Sequence, residues 1–209
     1  MSNSELEQDI FGEWMPWKLN AFVGEPRGSF ERYAVGYLKA GKLIMDWLEQ
    51  NLRDQDYLVY PLAFLFRHYI ELRLKEIYIS ACQYLDEEQD IPKHHEIMNL
   101  WKSAMGKIKH IDVGDTTDME KHIERVVKSY SQIDRLSTSF RYPIDKKNNP
   151  SLDARSLIKI KRFGDETVEL SEELEAISIA ISVMNDQKNE VRQLEREMEK
   201  ENGNLERYL

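Results

Sequence analysis

The chain has 209 residues, enough for one ordinary domain with a sizeable core and short for two. With 41% hydrophobic and 32% charged residues, and only 9 glycines and 6 prolines, there is little material for a turn-rich all-β fold, so helices should dominate. A formal net charge of −9 argues against broad, non-specific nucleic-acid binding, which needs a basic field to displace counterions, but it leaves room for a local basic patch.

The first residues, Met1 to Asp9, are polar and acidic and lack the basic-then-apolar order of a secretory signal, so no export is expected. Residues 1–28 read as an arm, because Trp14, Pro16, Trp17 and Phe22 alternate with Gly12, Gly24, Pro26 and Gly28 in no clear period. From Phe30 to Asn51 the spacing of Tyr33, Tyr37, Leu38, Leu43, Ile44, Trp47 and Leu48 predicts an amphipathic helix, with Ser29 as its N-cap. A second helix is predicted from about Asp56 to Leu85. Pro61 is compatible with its first turn only, which places the regular part a few residues beyond Asp56. More than half of this helix's circumference is apolar. Val59, Ala63, Phe66, Ile70, Leu74, Ile77 and Ala81 form one flank, with Leu58, Leu62, Leu65, Tyr69 and Leu72 beside it, so it is the expected central helix.

Its most apolar stretch, Tyr57 to Phe66, is too short to span a bilayer and runs into Arg67, His68 and Glu71. The lone cysteine, Cys82, has no disulfide partner and sits in an apolar pattern, which fits a reducing compartment. A cytoplasmic protein without membrane association is therefore expected. A third helix is predicted over His95–Lys109, and a fourth over Thr117–Leu136 behind a cap from Asp115, Thr116 and Thr117. Residues 137–166 break the period with Pro143, Asn148, Asn149, Pro150 and Gly164, and Leu157–Ile160 reads as a short extended piece. A last helix is predicted from about Ser171 to Asn202. Leu170, Leu174, Ile177, Ile181 and Met184 form its seam, and residues 191–209 form a charged extension beyond a bundle spanning 29–190.

Three constellations carry chemistry. On the central helix Arg67, His68, Glu71 and Lys75 are spaced three and four apart, so a carboxylate lies among two cations and an imidazole. A histidine beside an acid exchanges protons near neutral pH, and an arginine holds phosphate through two donors, a combination suited to phosphodiester cleavage. The same spacing also describes solvated ion pairs worth about 0.2–0.5 kcal/mol each. Phe64, Tyr57 and Tyr78 fall on the side of His68 and Lys75, which favours a covered surface. Arg73 falls within the apolar sector, either reaching a boundary over a packed stem or held in a structural ion pair with a carboxylate.

The second constellation is Ser137–Asp145, reading STSFRYPID, which sets Arg141 between aromatics in a loop, with Lys146 and Lys147 adding positive charge. Phe140 and Tyr142 serve equally well as loop anchors, so Arg141 stands evenly between anchor and ligand-binding residue. The third is His95 at a helix start, where it is either a boundary residue or a substrate contact. No histidine pair has helical metal-site spacing, and neither a phosphate-binding glycine loop nor a GxSxG turn occurs, so neither metal nor cofactor is expected.

The strings FRHYIELRLKEI (Phe66–Ile77), HHEIMNLW (His94–Trp101) and STSFRYPID (Ser137–Asp145), with the order of elements over about residues 30–190, resemble the HEPN superfamily. That resemblance implies an all-α, up-and-down bundle of four to five helices with a long C-terminal helix. It also implies an effector of toxin–antitoxin, abortive-infection or antiviral-defence type, and in active members a metal-independent ribonuclease site built between two subunits. The signature of active members is an arginine and a histidine four to six residues apart, whereas Arg67 and His68 here are adjacent. Carried onto this chain, the resemblance implies a homodimer with His68 as the proton-exchanging residue and Arg67 and Arg141 on phosphate. Glu71 then orients His68, and Lys75, His95, Tyr142 and Lys146 contact substrate. The alternative it leaves is a non-catalytic module that binds a nucleotide, RNA or a partner protein from a neighbouring gene.

Overall fold

A computed structural model describes Ala21, residues 30–153 and residues 157–205, with side chains described through 201. The aromatic arm at 1–28 and the Ser29 cap therefore lie outside the described residues, apart from Ala21. The architecture is all-helical, as expected, and ends in a long helix. In chain order the elements are α1 (Phe30–Asn51), α2 (Gln55–Tyr84), α3 (Ile97–Ile108), α4 (Thr117–Ile133) and α5 (Ile160–Leu205). Among the described residues the one β-type contact is an isolated bridge between Ile144 and Pro150.

α2 is central. It packs against α1, α3 and α5, while α4 closes the bundle against α3 and α5. Most of both predicted flanks goes inside: Ala63, Phe66, Ile70, Leu74, Ile77 and Ala81 are buried, and so are Leu62, Tyr69 and Leu72, while Leu58, Val59 and Leu65 are half-buried. The continuous core takes in Trp101 and Ile108 of α3, Ile123 and Val127 of α4, and Leu170, Leu174, Ile177 and Ile181 of α5. Burial of a large apolar side chain stabilises by roughly 1.5–3 kcal/mol, so this stack is the main source of the bundle's stability.

Three expectations need correction. α2 begins at Gln55, so Pro61 lies inside it rather than in its first turn. The proline removes the helical partner of the Tyr57 carbonyl, and Pro61 and Tyr57 are both exposed. α5 begins at Ile160, about three turns before the predicted start, and passes through Gly164. That glycine acts as a packing contact, because a Cβ there would stand 2.2 Å from Cε of Met45 on α1. Leu157–Ile160 is correspondingly not extended structure: residues 157–159 are irregular and Ile160 opens the helix.

The C-terminal extension stays tied to α2 farther than its apolar seam predicts. Asn185 donates to the carbonyl of Ser80 at 2.9 Å, and Asp86 receives both Lys188 (2.7 Å) and the paired nitrogens of Arg192 (2.9 and 2.6 Å). These cations hold the Asp86 carboxyl well below the usual carboxylate range. From 193 to 201 the helix is exposed, including Leu194 and Met198.

Candidate functional site

The polar stripe of α2 is covered, as its aromatic neighbours led one to expect: Arg67, Glu71 and Lys75 are buried and His68 is half-buried. Arg67 is 0% exposed and its guanidinium joins three segments. Nε donates to the carbonyl of Asp134 at 2.8 Å. One terminal nitrogen donates to the carbonyls of His95 (2.6 Å) and Arg135 (3.1 Å), and the other to Glu71 Oε2 at 3.3 Å. Arg67 thus closes the ends of the segment before α3 and the turn after α4 onto the central helix. Burial lowers its basicity, while Asp134 and Glu71 oppose that effect.

Glu71 is 2% exposed and spends both oxygens. Oε2 takes Arg67, and Oε1 accepts from Lys75 Nζ at 3.0 Å and from His95 Nδ1 at 2.8 Å. Burial alone pushes the Glu71 carboxyl up, but the bonds from His95 and Lys75 outweigh it and hold the group below its ordinary range. Against an ionised Glu71, His95 Nδ1 must be the donor, which leaves Nε2 as the free nitrogen of a side chain that is 62% exposed. The expected orienting bond from Glu71 to His68 is not made; the carboxylate is directed to the other histidine.

His68 lies half-buried between Tyr37 of α1 and Phe64. Its ring meets the first edge-on at 4.5 Å and stacks on the second at 5.5 Å. Burial depresses its basicity, Glu71 partly offsets this, and the neighbouring Arg67, Arg141 and Lys75 depress it further. The loop of Ser137–Asp145 does reach this face. Arg141 stands 5.4 Å over the Phe64 ring and 5.7 Å over Tyr142, its Nε donating to the carbonyl of Ser137. Tyr142 is largely exposed, and Lys146 is an exposed loop residue that contributes no contact to the network.

Asp134 is the member that sequence reasoning missed. It is 1% exposed, and its Oδ1 accepts the backbone N–H groups of Thr138 (2.8 Å) and Ser139 (3.1 Å), fixing the turn that carries Arg141. An acid at a helix end followed by Ser-Thr-Ser is the available signal, since such side chains cap the next turn. Ser137 within that turn is buried with φ 61°, a conformation that costs a non-glycine residue about 1–3 kcal/mol and is maintained only by its surroundings.

Two further clusters lie elsewhere. Arg73, 1% exposed, takes both halves of the expected alternative: its stem is inside, and its head bridges Glu76 and Glu175 of α5 at 2.6 Å each. Tyr69 beside it donates to the carbonyl of Ser171, and burial pushes its hydroxyl up to about 12. Between α4 and α5, His122 meets Glu166, Glu169 and Glu173. One donor atom each from His122, Glu169 and Glu173 lies within 4.8 Å of the others, a set that single-helix spacing rules do not find because its members come from two helices.

Comparison with family models, curated proteins and solved structures found no match, so the chemistry of these residues alone bears on function. Among the described residues no helix is long and apolar enough to cross a membrane.

Proposed function

We propose that this chain is a HEPN-like, defence-type effector that cleaves RNA without a metal, with His95 rather than His68 as the proton-exchanging residue. The observation that carries this reading is the Glu71–His95 pair: a buried carboxylate, held ionised, grips Nδ1 at 2.8 Å and leaves Nε2 on the exposed side. In the proposed reaction Nε2 takes the proton of a ribose 2′-hydroxyl as its oxygen bonds to phosphorus. The bond to the 5′-oxygen then breaks, and that oxygen is protonated on leaving. Arg141, exposed and resting on Phe64, is the phosphate-facing cation, and Lys75 adds to the field. Arg67 is removed from the substrate contacts and becomes the support beneath them. A homodimer supplying the rest of the cleft belongs to this proposal.

Incubation of the purified protein with total RNA in EDTA tests it. Cleavage that persists in EDTA, disappears in His95→Ala and survives in part in His68→Ala is expected; RNA left intact by the parent protein overturns it.

A second reading, a non-catalytic module for a nucleotide, RNA or a partner protein, is favoured by one observation: the donors of Arg67 and both oxygens of Glu71 are spent on the protein itself. Under that reading His95→Ala abolishes no turnover, and Arg141→Ala weakens ligand binding with the fold intact.

A further inference from the structure

The contact between α4 and α5 has no place in the reading above, and it depends on one proton. His122 stands in the second turn of α4, 15% exposed, with three carboxylates of α5 around its ring. Nδ1 lies 2.6 Å from Glu173 Oε2, while Nε2 lies 3.3 Å from Glu166 Oε2 and 3.7 Å from Glu169 Oε2. An ionised carboxylate only accepts hydrogen bonds, and a neutral imidazole has a single N–H to give. Both ring nitrogens therefore bond α5 only when the ring is an imidazolium. Loss of that proton turns one of them into a lone pair facing a carboxylate.

The other charges around the ring are unevenly placed. Arg125 of α4 and, at 3.4 Å, Arg162 of α5 both reach Glu166. Glu169 and Glu173 have no arginine or lysine at ion-pair distance among the described residues, so His122 is the cation that faces them. α3, the other helix packed on α4, brings no carboxylate to ion-pair distance of the ring among the described residues. Burial depresses the basicity of His122, but the bond to Glu173 and the charges of Glu173, Glu166 and Glu169 outweigh it and hold the ring above its ordinary value. Burial pushes the Glu173 carboxyl up and His122 opposes that, so each of the two favours its charged form because the other is charged.

The start of α4 has little else to hold it. Asp115 receives the N–H of Thr117 at 3.0 Å, but Thr116 makes no side-chain cap and gives its hydroxyl to Glu120 instead. The first fully buried residue of the helix is Ile123. The far end is fixed differently, by the burial of Val126, Val127 and Tyr130 and by the bond from Arg67 to the carbonyl of Asp134. We infer that the first two turns of α4 form a pH-sensitive clasp on α5. Imidazolium His122 holds them down through Glu173 and Glu166. Release of its proton leaves three carboxylates facing an uncharged ring, and these turns lift while the Asp134 end stays docked.

The test is an NMR titration of His122 in the full chain, together with amide hydrogen exchange corrected for its intrinsic pH dependence. Because the folded ring is held above the unfolded value near 6.5, the contribution of the clasp is fully present below that value and is lost as pH rises through the folded midpoint. A midpoint above about 6.5 is expected. Protection over Lys121–Arg125 should fall by about tenfold or more across it, the loss of one hydrogen bond to a charged group, with α2 unchanged. His122→Gln should show no such step. Glu169→Gln changes only an exposed side chain, so it keeps the test decisive if His122→Gln unfolds; it should lower the midpoint and shrink the step. A midpoint at or below about 6.5 overturns the proposal. So does protection of α4 that stays constant across the midpoint, or a step of equal size in the parent protein and His122→Gln.

Discussion

Replacing Arg67 with methionine separates a supporting role for this residue from a catalytic one. The substitution keeps most of the volume and removes every donor, leaving the carbonyls of His95, Asp134 and Arg135 without their guanidinium partner and Glu71 with two of its three hydrogen-bond donors. Removing one member of a buried pair costs about 3–5 kcal/mol, and each buried acceptor left unpaired about 1–3 kcal/mol. These losses overlap, because the same guanidinium serves all of them, so about 4 kcal/mol is the expected total. That is a large share of the roughly 5–15 kcal/mol by which domains are stable. For a chain of this length each kcal/mol moves the melting temperature by about 2–4 °C, which gives a drop of about 8–16 °C. Thermal and urea unfolding, followed by circular dichroism, measure it. Arg67→Lys keeps the charge but not the planar fork, and should fall between the two. A drop of less than about 3 °C, with RNA cleavage abolished, would falsify the supporting role and return Arg67 to the substrate.

The pH behaviour of the same network follows from its signs. Glu71 has a folded carboxyl below its ordinary value, so the stability it contributes is fully present above the unfolded value near 4.3 and disappears as pH falls through the folded one. The stability gap between the parent protein and Glu71→Gln should therefore be widest at neutral pH and close in acid, and a gap that widens on acidification contradicts the assignment. His68 should titrate below about 6.5 by NMR, and Phe64→Ala should move its midpoint upward by admitting water to the ring. Gly41→Ala places a Cβ 2.3 Å from the Phe66 ring and should destabilise by about 1–3 kcal/mol in urea unfolding, despite the better helix propensity of alanine. Gly164→Ala meets only the flexible end of Met45 and should be the milder of the two.

What the sequence makes legible is what a single helix can express. Phe30–Asn51 follows from its periodicity with both ends correct, and the two buried flanks of α2 follow from a wheel. The start of α5 does not, because Gly164 reads as a breaker until Met45 is placed against it. The site divides in the same way. Arg67, Glu71 and Lys75 share a face by spacing, yet nothing local shows that the third partner of Glu71 is His95, 24 residues away, or that Arg67 bonds the turn at Asp134, 67 residues away. The His68–Glu71 pairing suggested by a three-residue step lost to these distant partners. Rings of Tyr37 and Phe64 fill the space around the His68 imidazole, and the carboxylate points to a different edge of the helix. Glu175 as the counter-ion of Arg73 was hidden for the same reason.

The charges inside α2 also solve a problem that its apolar body creates. A helix that is hydrophobic over more than half its circumference gains nearly as much from burial after a small rotation, so packing alone sets its register weakly. Arg67 and Arg73 respond to rotation steeply, since turning α2 by one residue would pull each guanidinium off its partners and strand a buried charge. One peg faces the turn at Asp134 and the other faces Glu175 on α5, so they constrain α2 against two neighbours at once. Buried ion pairs add little net stability compared with well-packed apolar residues, and their better-attested use is to specify one arrangement among several. The arrangement specified here is the one that brings His95 onto Glu71 with its ring outward. Swapping Arg73 and Glu175 together for methionine and leucine should therefore leave stability nearly unchanged. Cleavage, if His95 performs it, should decline as the register loosens, because the cost then falls on the geometry of the Glu71–His95 pair.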